Sequence, residues 1–179
     1  MINVVLCCVL GIPAELFSSY ALGLILNAIP GAVEKYTADV SALFENRPLT
    51  ILLVVLVMPV IEELIFRKFI LGISGRFMNF PVANFLQALL FGIYHGNIIQ
   101  GIYAFLLGLF IGELKNITGT IFACIGFHCI FNMTGLLIDD YMPADLPVIW
   151  ITVIMAVSLA SGIFIFLKIR ANRYAHQTS

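Results

Sequence analysis

The chain has 179 residues, of which 61% are hydrophobic and only 11% carry a charge. Soluble domains carry about a quarter charged residues, so this composition excludes a water-soluble fold. The formal net charge of −1 and the lack of a basic tract also exclude a protein that binds nucleic acid.

Apolar segments follow one another along the chain, each judged against the ~20 residues that cross a bilayer. They cover residues 2–29, 49–71, 80–95, 97–114, 119–138 and 147–167. The third segment is short, and Pro81 suits the first turn of a helix there. A membrane-spanning backbone must satisfy its own hydrogen bonds. We therefore predict an all-α fold, a polytopic membrane bundle of about six transmembrane helices. It forms one domain over residues 1–179, with its motif core at about 49–138.

The charges of the connecting segments predict how these helices are oriented. The segments after the first and fifth spans contain two Lys or Arg, and the segments on the other side contain six. Positive residues collect on the cytoplasmic side, so we expect both termini in the cytoplasm. We expect the membrane to be the cytoplasmic membrane of a bacterium. The residues counted are Lys35 and Arg47 on one side, and Lys68, Arg76, Lys115, Lys168, Arg170 and Arg173 on the other.

Some small and polar residues within the spans are predicted to face neighbouring helices. Glu15 is expected to point into the bundle, because an ionised group that faces lipid is costly. The pairs Gly92-x-x-x-Gly96 and Gly108-x-x-x-Gly112 have the spacing that lets two helices approach closely. We interpret both pairs as packing positions.

The second span carries two adjacent glutamates and an arginine within an apolar helix. Residues four apart share a helix face, whereas adjacent residues diverge by about 100°. Glu63 and Arg67 are therefore predicted to pair, each offsetting the desolvation of the other. Glu62 has no partner on its own helix, so we expect it to meet a histidine from another span.

Two other spans carry polar residues at the same spacing. Gln87, Phe91 and His95 form one stripe on the third span, and His128 and Asn132 share a face of the fifth. We expect the polar faces of the second, third and fifth spans to turn toward one central polar cavity, because there they can satisfy one another.

Such a cavity would contain the groups that hydrolysis of an amide bond requires. A glutamate and a histidine can hold and deprotonate a water molecule. A second histidine and an asparagine amide can donate hydrogen bonds to an oxyanion. A metal site or an ion pathway uses the same residue types, and interhelical polar contacts can serve stability alone. The residues by themselves leave these alternatives open.

Three motifs, in this order and on separate apolar helices, resemble the signature motifs of the CPBP family. They are Glu62-Glu63-x-x-x-Arg67, Phe91-x-x-x-His95 and His128-x-x-x-Asn132. This family includes the type II CAAX prenyl proteases and the bacterial Abi intramembrane proteases that process bacteriocins or accompany immunity. The resemblance covers residues 49–138 well, although only one span precedes the first motif.

The resemblance implies a role for each motif residue. Glu62 would be the catalytic base that activates water together with His95. His128 and Asn132 would stabilise the tetrahedral oxyanion. The residues that would support the site, the first two as a structural pair, are Glu63, Arg67 and Phe91.

The resemblance also leaves two ways to activate water. Zinc held by Glu62, His95 and His128 is the alternative to direct activation by the glutamate. No H-E-x-x-H pair is present, so we favour the glutamate without a metal.

The predicted function is an intramembrane endopeptidase that cleaves a lipophilic, prenylated or leader-bearing peptide. The alternative is a non-catalytic membrane protein, such as a bacteriocin-immunity factor or an accessory partner, that retains the motifs. The expected partners are a peptide or lipopeptide substrate and the lipid bilayer.

Overall fold

The computed structural model describes residues 1–28, 30–31, 47–143 and 146–177. Over these residues the chain forms six helices and no strand. The helices are α1 (Ile2–Asn27), α2 (Pro48–Ser74), α3 (Phe80–Tyr94), α4 (Ile98–Thr118), α5 (Ile121–Tyr141) and α6 (Val148–Gln177). Lys35, which was counted in the prediction of orientation, lies outside the described residues.

Five of the helices are long and apolar enough to cross a membrane, and α3, with 15 residues, is the short one. The helices agree with the six predicted segments to within a few residues, except that α6 continues to Gln177. The prediction of an all-α, polytopic membrane bundle is confirmed. The chain is an integral membrane protein.

Helix α2 is irregular at two places, where π-helical turns replace α-helical ones. The π-helical stretches Leu53–Val57 and Leu64–Ile70 flank a regular stretch, Met58–Glu63. Single π-helical turns inside α-helices are frequent at functional sites. In α2 they lie on both sides of the glutamates.

The first π-helical stretch leaves a backbone carbonyl without its usual donor. In an α-helix the N–H of Met58 would bond to the carbonyl of Val54, but here it bonds to the carbonyl of Leu53. Pro59, the next residue, has no N–H to offer in its place. The Val54 carbonyl is therefore open to a donor from another helix.

The connections around α3 and α4 are short because side chains cap the helix ends. Asn79 accepts a hydrogen bond from the N–H of Val82 at the start of α3, with Pro81 in the first turn as predicted. Asn97 caps α4 in the same way. Gly96, between these helices, has φ +69°, a conformation that side chains with a Cβ rarely adopt. The predicted packing role of Gly96 is wrong, since it ends α3 instead.

The other predicted glycine positions do lie where α3 and α4 pack together. A Cβ on Gly92 would lie 2.6 Å from the carbonyl oxygen of Gly101, and one on Gly108 would lie 3.1 Å from Ala88. A Cβ on Gly112 would overlap the side chain of Asn84. Close approach of the two backbones explains these glycines.

Helices α1, α5 and α6 share a second packed region, where Leu10, Phe127 and Ile169 are buried. Glu15 is 7% exposed and faces the interior, which confirms the prediction. Its two oxygens accept hydrogen bonds from Ser19 at 2.7 Å and from the Tyr103 hydroxyl at 2.6 Å. The second bond links α1 to α4.

Candidate active site

The predicted pair of Glu63 and Arg67 lies within the bundle. Glu63 Oε2 lies 3.2 Å from Arg67 Nε, and both side chains are 0% exposed. The pair is stacked along α2 because its members are four residues apart. This contact is an ion pair without hydrogen-bond geometry.

Glu62 points to another side of α2, toward α5. Its Oε2 lies 3.7 Å from Nε2 of His128, and the residue is 7% exposed. That distance is too long for a hydrogen bond. The expectation that Glu62 meets a histidine from another helix is confirmed, and His128 is that histidine.

His128 lies between the two glutamates and contacts each with a different ring nitrogen. Its Nδ1 is 2.9 Å from Oε1 of Glu63, in a hydrogen bond that is fully buried. A carboxylate accepts hydrogen bonds and does not donate them. The proton of this bond is therefore on Nδ1, and Nε2 faces Glu62.

The ring of Phe91 contacts both histidines and the arginine. Its centroid lies 4.8 Å from the ring of His95, 6.0 Å from that of His128 and 4.4 Å from the guanidinium carbon of Arg67. The arginine stacks on the ring face, an arrangement that stabilises a cation out of water. Phe91 thus lies between these three side chains.

His95 caps the C-terminal end of α3 and is the half-buried member of the group. Its Nδ1 donates to the carbonyl oxygen of Phe91 at 2.8 Å, because a carbonyl can only accept. The ring therefore presents Nε2 as a free acceptor.

Asn132 lies one helical turn beyond His128 on α5. Its Nδ2 donates to the carbonyl oxygen of Val54 at 2.9 Å. This is the carbonyl that the π-helical turn and Pro59 leave without a main-chain donor. One N–H of Asn132 thus ties α5 to α2.

Not every residue of the predicted polar stripe on α3 reaches this group. Gln87 is fully buried, and its Nε2 donates to Asn84 at 2.7 Å and to the carbonyl oxygen of Gly108 at 2.9 Å. Asn84 donates to the carbonyl oxygen of Leu109 at 3.0 Å. Asn84 and Gln87 therefore join α3 to α4, and of the predicted stripe only Phe91 and His95 lie beside the glutamate–histidine group.

The arrangement brings together two acidic and three basic side chains, and all of them except the half-buried His95 are buried. Glu62 offers a carboxylate that no hydrogen bond from the described residues occupies, and His128 and His95 offer ring nitrogens. Such a group can accept a proton from water and can donate to a developing negative charge. Periodicity within single helices did not predict the contacts between helices, among them those of Glu63 with His128 and of Asn132 with Val54.

These features define a class, a helical membrane protein with a buried glutamate–histidine site of the kind that hydrolysis uses. A family model, Type II CAAX prenyl endopeptidase Rce1-like, matches residues 44–134. These are 91 of the 179 residues, half of the chain. The chain belongs to this family, as the sequence motifs predicted, and all seven motif residues lie within the match.

The comparison with a curated relative supports the same class of protein. "Putative membrane peptidase YdiL" of Bacillus subtilis (strain 168) is 27% identical over 125 residues, which are 64% of this chain and 51% of the relative. The chain thus spans about half the length of this relative. No solved structure matches the chain. The family and the relative together support a membrane protease.

Proposed function

We propose that this chain is an intramembrane endopeptidase that hydrolyses a peptide bond with water activated by Glu62. One observation carries the proposal: Glu62 Oε2 and His128 Nε2 face each other at 3.7 Å inside the bundle. They are too far apart to satisfy each other with a hydrogen bond. A reacting water molecule can therefore bond to both.

Glu62 is the general base in this proposal. It takes a proton from water as the water oxygen attacks the carbonyl carbon of the peptide bond. His95 assists, because its Nδ1 is bonded to the backbone and its Nε2 is free to orient the same water. A positioned general base contributes about 10²- to 10⁴-fold to a hydrolysis rate.

His128 and Asn132 stabilise the oxyanion that forms when water adds. His128 does so through Nε2 when that nitrogen is protonated, and Asn132 through the amide N–H that does not bond to Val54. Donors directed at a developing charge lower the barrier most where water is excluded. The proton on Glu62 then passes to the leaving nitrogen as the C–N bond breaks, which yields a carboxylic acid and an amine.

Zinc is the alternative means of activating water. Among the residues that the structure describes, no group of three or more His, Cys, Asp or Glu side chains converges as a metal site. Glu62, His95 and His128 therefore do not fit a zinc ion as they are placed. The proposed reaction contains no step through a metal.

The proposed substrate is a lipophilic, prenylated or leader-bearing peptide that enters from the bilayer. The proposed location is a bacterial cytoplasmic membrane with both termini in the cytoplasm, from the charge asymmetry of the connecting segments. In that orientation the glutamates lie toward the cytoplasmic end of α2. Cleavage is then expected near the cytoplasmic interface.

The test compares Glu62→Gln with Glu15→Gln in proteoliposomes supplied with fluorescence-quenched peptides that carry or lack a farnesyl group. Both substitutions replace a buried membrane glutamate by its isosteric amide, but Glu15 bonds to Ser19 and Tyr103 instead of facing His128. We expect Glu62→Gln to lower kcat about 10²- to 10⁴-fold and Glu15→Gln to leave it near the wild-type value.

Equal cleavage by the wild type and Glu62→Gln would refute the role of Glu62. No cleavage by either, together with unchanged new N-termini in membranes of cells that express the wild type, would favour a non-catalytic accessory protein. Cleavage of both peptides alike would show that the prenyl group is not required.

A further inference from the structure

We propose that Glu63 is a positioning residue of this site, which fixes the ring of His128 so that Nε2 faces Glu62. The proposal rests on the proposed function, because that function gives Nε2 of His128 its part in the reaction. It assigns to Glu63 more than the structural pairing with Arg67 that the sequence motifs imply. The geometry that carries it is the chain of contacts from Arg67 through Glu63 to His128.

Glu63 is held so that one oxygen serves each neighbour. Oε2 contacts Arg67 Nε at 3.2 Å and Oε1 contacts His128 Nδ1 at 2.9 Å. The side chain is 0% exposed, so water does not compete for either oxygen. Hydrogen bonds to a charged acceptor are about twice as strong as neutral ones. The carboxylate is thus a firm anchor for the imidazole.

Arg67 in turn fixes Glu63. Its guanidinium is stacked on Phe91 at 4.4 Å, and the residue is 1% exposed. Within the described residues, its two terminal nitrogens make no hydrogen bond. Glu63 and the ring face of Phe91 are therefore the groups that balance this buried cation. With Oε2 beside Arg67, Oε1 of Glu63 is the oxygen that faces His128.

The consequence for His128 is a choice of tautomer. Nδ1 donates the hydrogen bond that Glu63 accepts, so Nε2 has the lone pair in the neutral ring. In the doubly protonated ring Nε2 donates as well, and that is the form that stabilises the oxyanion. A carboxylate that orients an imidazole in this way is the arrangement of the Ser-His-Asp triad, reached here in a lipid bilayer. His95 reaches the same tautomer by donating Nδ1–H to a backbone carbonyl. In both rings Nδ1 is engaged by a hydrogen bond, which leaves Nε2 for the reaction.

A purely structural pair and a positioning residue make different predictions when both charges are removed together. Replacing a buried ion pair by apolar residues of similar volume is often neutral or stabilising. The double variant Glu63→Leu/Arg67→Met therefore keeps the fold while it removes the acceptor for His128. If the pair were only structural, this variant would retain activity.

The first measurement is ¹⁵N NMR of the histidine rings in detergent without substrate. The chain has three histidines, and His→Gln variants assign their signals. We expect Nδ1 of His128 to be protonated in the wild type and the Nε2–H tautomer to appear in the double variant. Glu15→Gln, the matched control, is expected to leave the His128 signals unchanged. An unprotonated Nδ1 in the wild type, or an unchanged ring in the double variant, would overturn the proposal.

The second measurement is cleavage by the folded double variant, which we expect to have a kcat about 10- to 100-fold below the wild type with KM little changed. Wild-type kcat would overturn the proposal. Should the double variant not fold, Glu63→Asp retains the charge beside Arg67 but withdraws the carboxylate from His128. The same loss of kcat is expected there, and wild-type kcat would again contradict the proposal. The NMR measurement requires no substrate, so it tests the role of Glu63 independently of the proposed activity.

Discussion

At the scale of single residues, a missing Cβ decides how closely α3 and α4 approach. Gly112 faces Asn84 and Gln87, whose amides donate to backbone carbonyls of α4. Those hydrogen bonds form only because the helix surface is flat at this position. The same helix pair carries Phe91 and His95, so the site depends on a contact made one or two turns away.

Gly112→Ala is expected to destabilise the protein by about 1–3 kcal/mol, the usual cost of overpacking. The added methyl group would overlap Asn84 and displace the amide of Gln87. The measurement is the midpoint of unfolding in a detergent titration. Gly72→Ala is the matched control, since a Cβ there meets nothing within 4 Å. Alanine replaces glycine in a helix at that position, so the control is expected to be neutral or slightly stabilising. An equal effect of both substitutions would contradict this explanation.

At the scale of secondary structure, α2 is the element whose irregularity shapes the site. Its π-helical turns leave the Val54 carbonyl free, and Asn132 of α5 supplies the missing donor. The bond fixes the two helices along their length. This sets Glu62 and Glu63 at the height of His128.

A double-mutant cycle tests whether Pro59 creates the need for Asn132. Asn132→Leu alone is expected to cost about 0.6–1.7 kcal/mol, the range for hydrogen bonds between membrane helices. In a Pro59→Ala background the cost should fall toward zero, because residue 59 then has an N–H for the free carbonyl. Unfolding midpoints of the four proteins give the coupling energy.

Thr134→Val is the control for that cycle. The Thr134 hydroxyl donates to the carbonyl of Ile130 within α5, so its loss should be independent of Pro59. Additive effects for Asn132→Leu and Pro59→Ala would mean that the two residues are not linked through Val54.

How far the sequence predicts the site depends on whether a contact lies within one helix or between two. Glu63 and Arg67 were predictable, because helical periodicity alone places them together. The contact of Glu63 with His128 was not, because it depends on the register of α2 against α5. Apolar runs predicted the helices well, since a bilayer fixes both length and composition. The π-helical turns were not predictable, because the only sequence feature connected with them is Pro59, which follows the first of them.

At the scale of the whole molecule, the orientation in the membrane decides from which side the site is reached. The positive residues predict that the α2–α3 turn lies in the cytoplasm and the C-terminal end of α5 outside. Phe77 in that turn is 82% exposed, and Tyr141 at the end of α5 is 78% exposed. These two positions therefore report on opposite sides.

Single cysteines at the two positions test the orientation in spheroplasts, in a background whose native cysteines are replaced by alanine. A membrane-impermeant maleimide is expected to label Tyr141→Cys at once. Phe77→Cys should react only after the membrane is permeabilised. The reverse pattern would invert the predicted topology.

The brevity of α3 has a consequence for the membrane itself. Its 15 residues extend only ~22 Å at ~1.5 Å per residue, against a hydrocarbon thickness of ~30 Å. A helix that is too short thins the bilayer around it. We therefore expect the bilayer to be thinner beside His95, at the end of α3, with lipid headgroups and their water closer to this half-buried ring. An enzyme that consumes water inside a membrane would in this way thin the bilayer that keeps water from its site. Its rate should then depend on the acyl-chain length of the surrounding lipids.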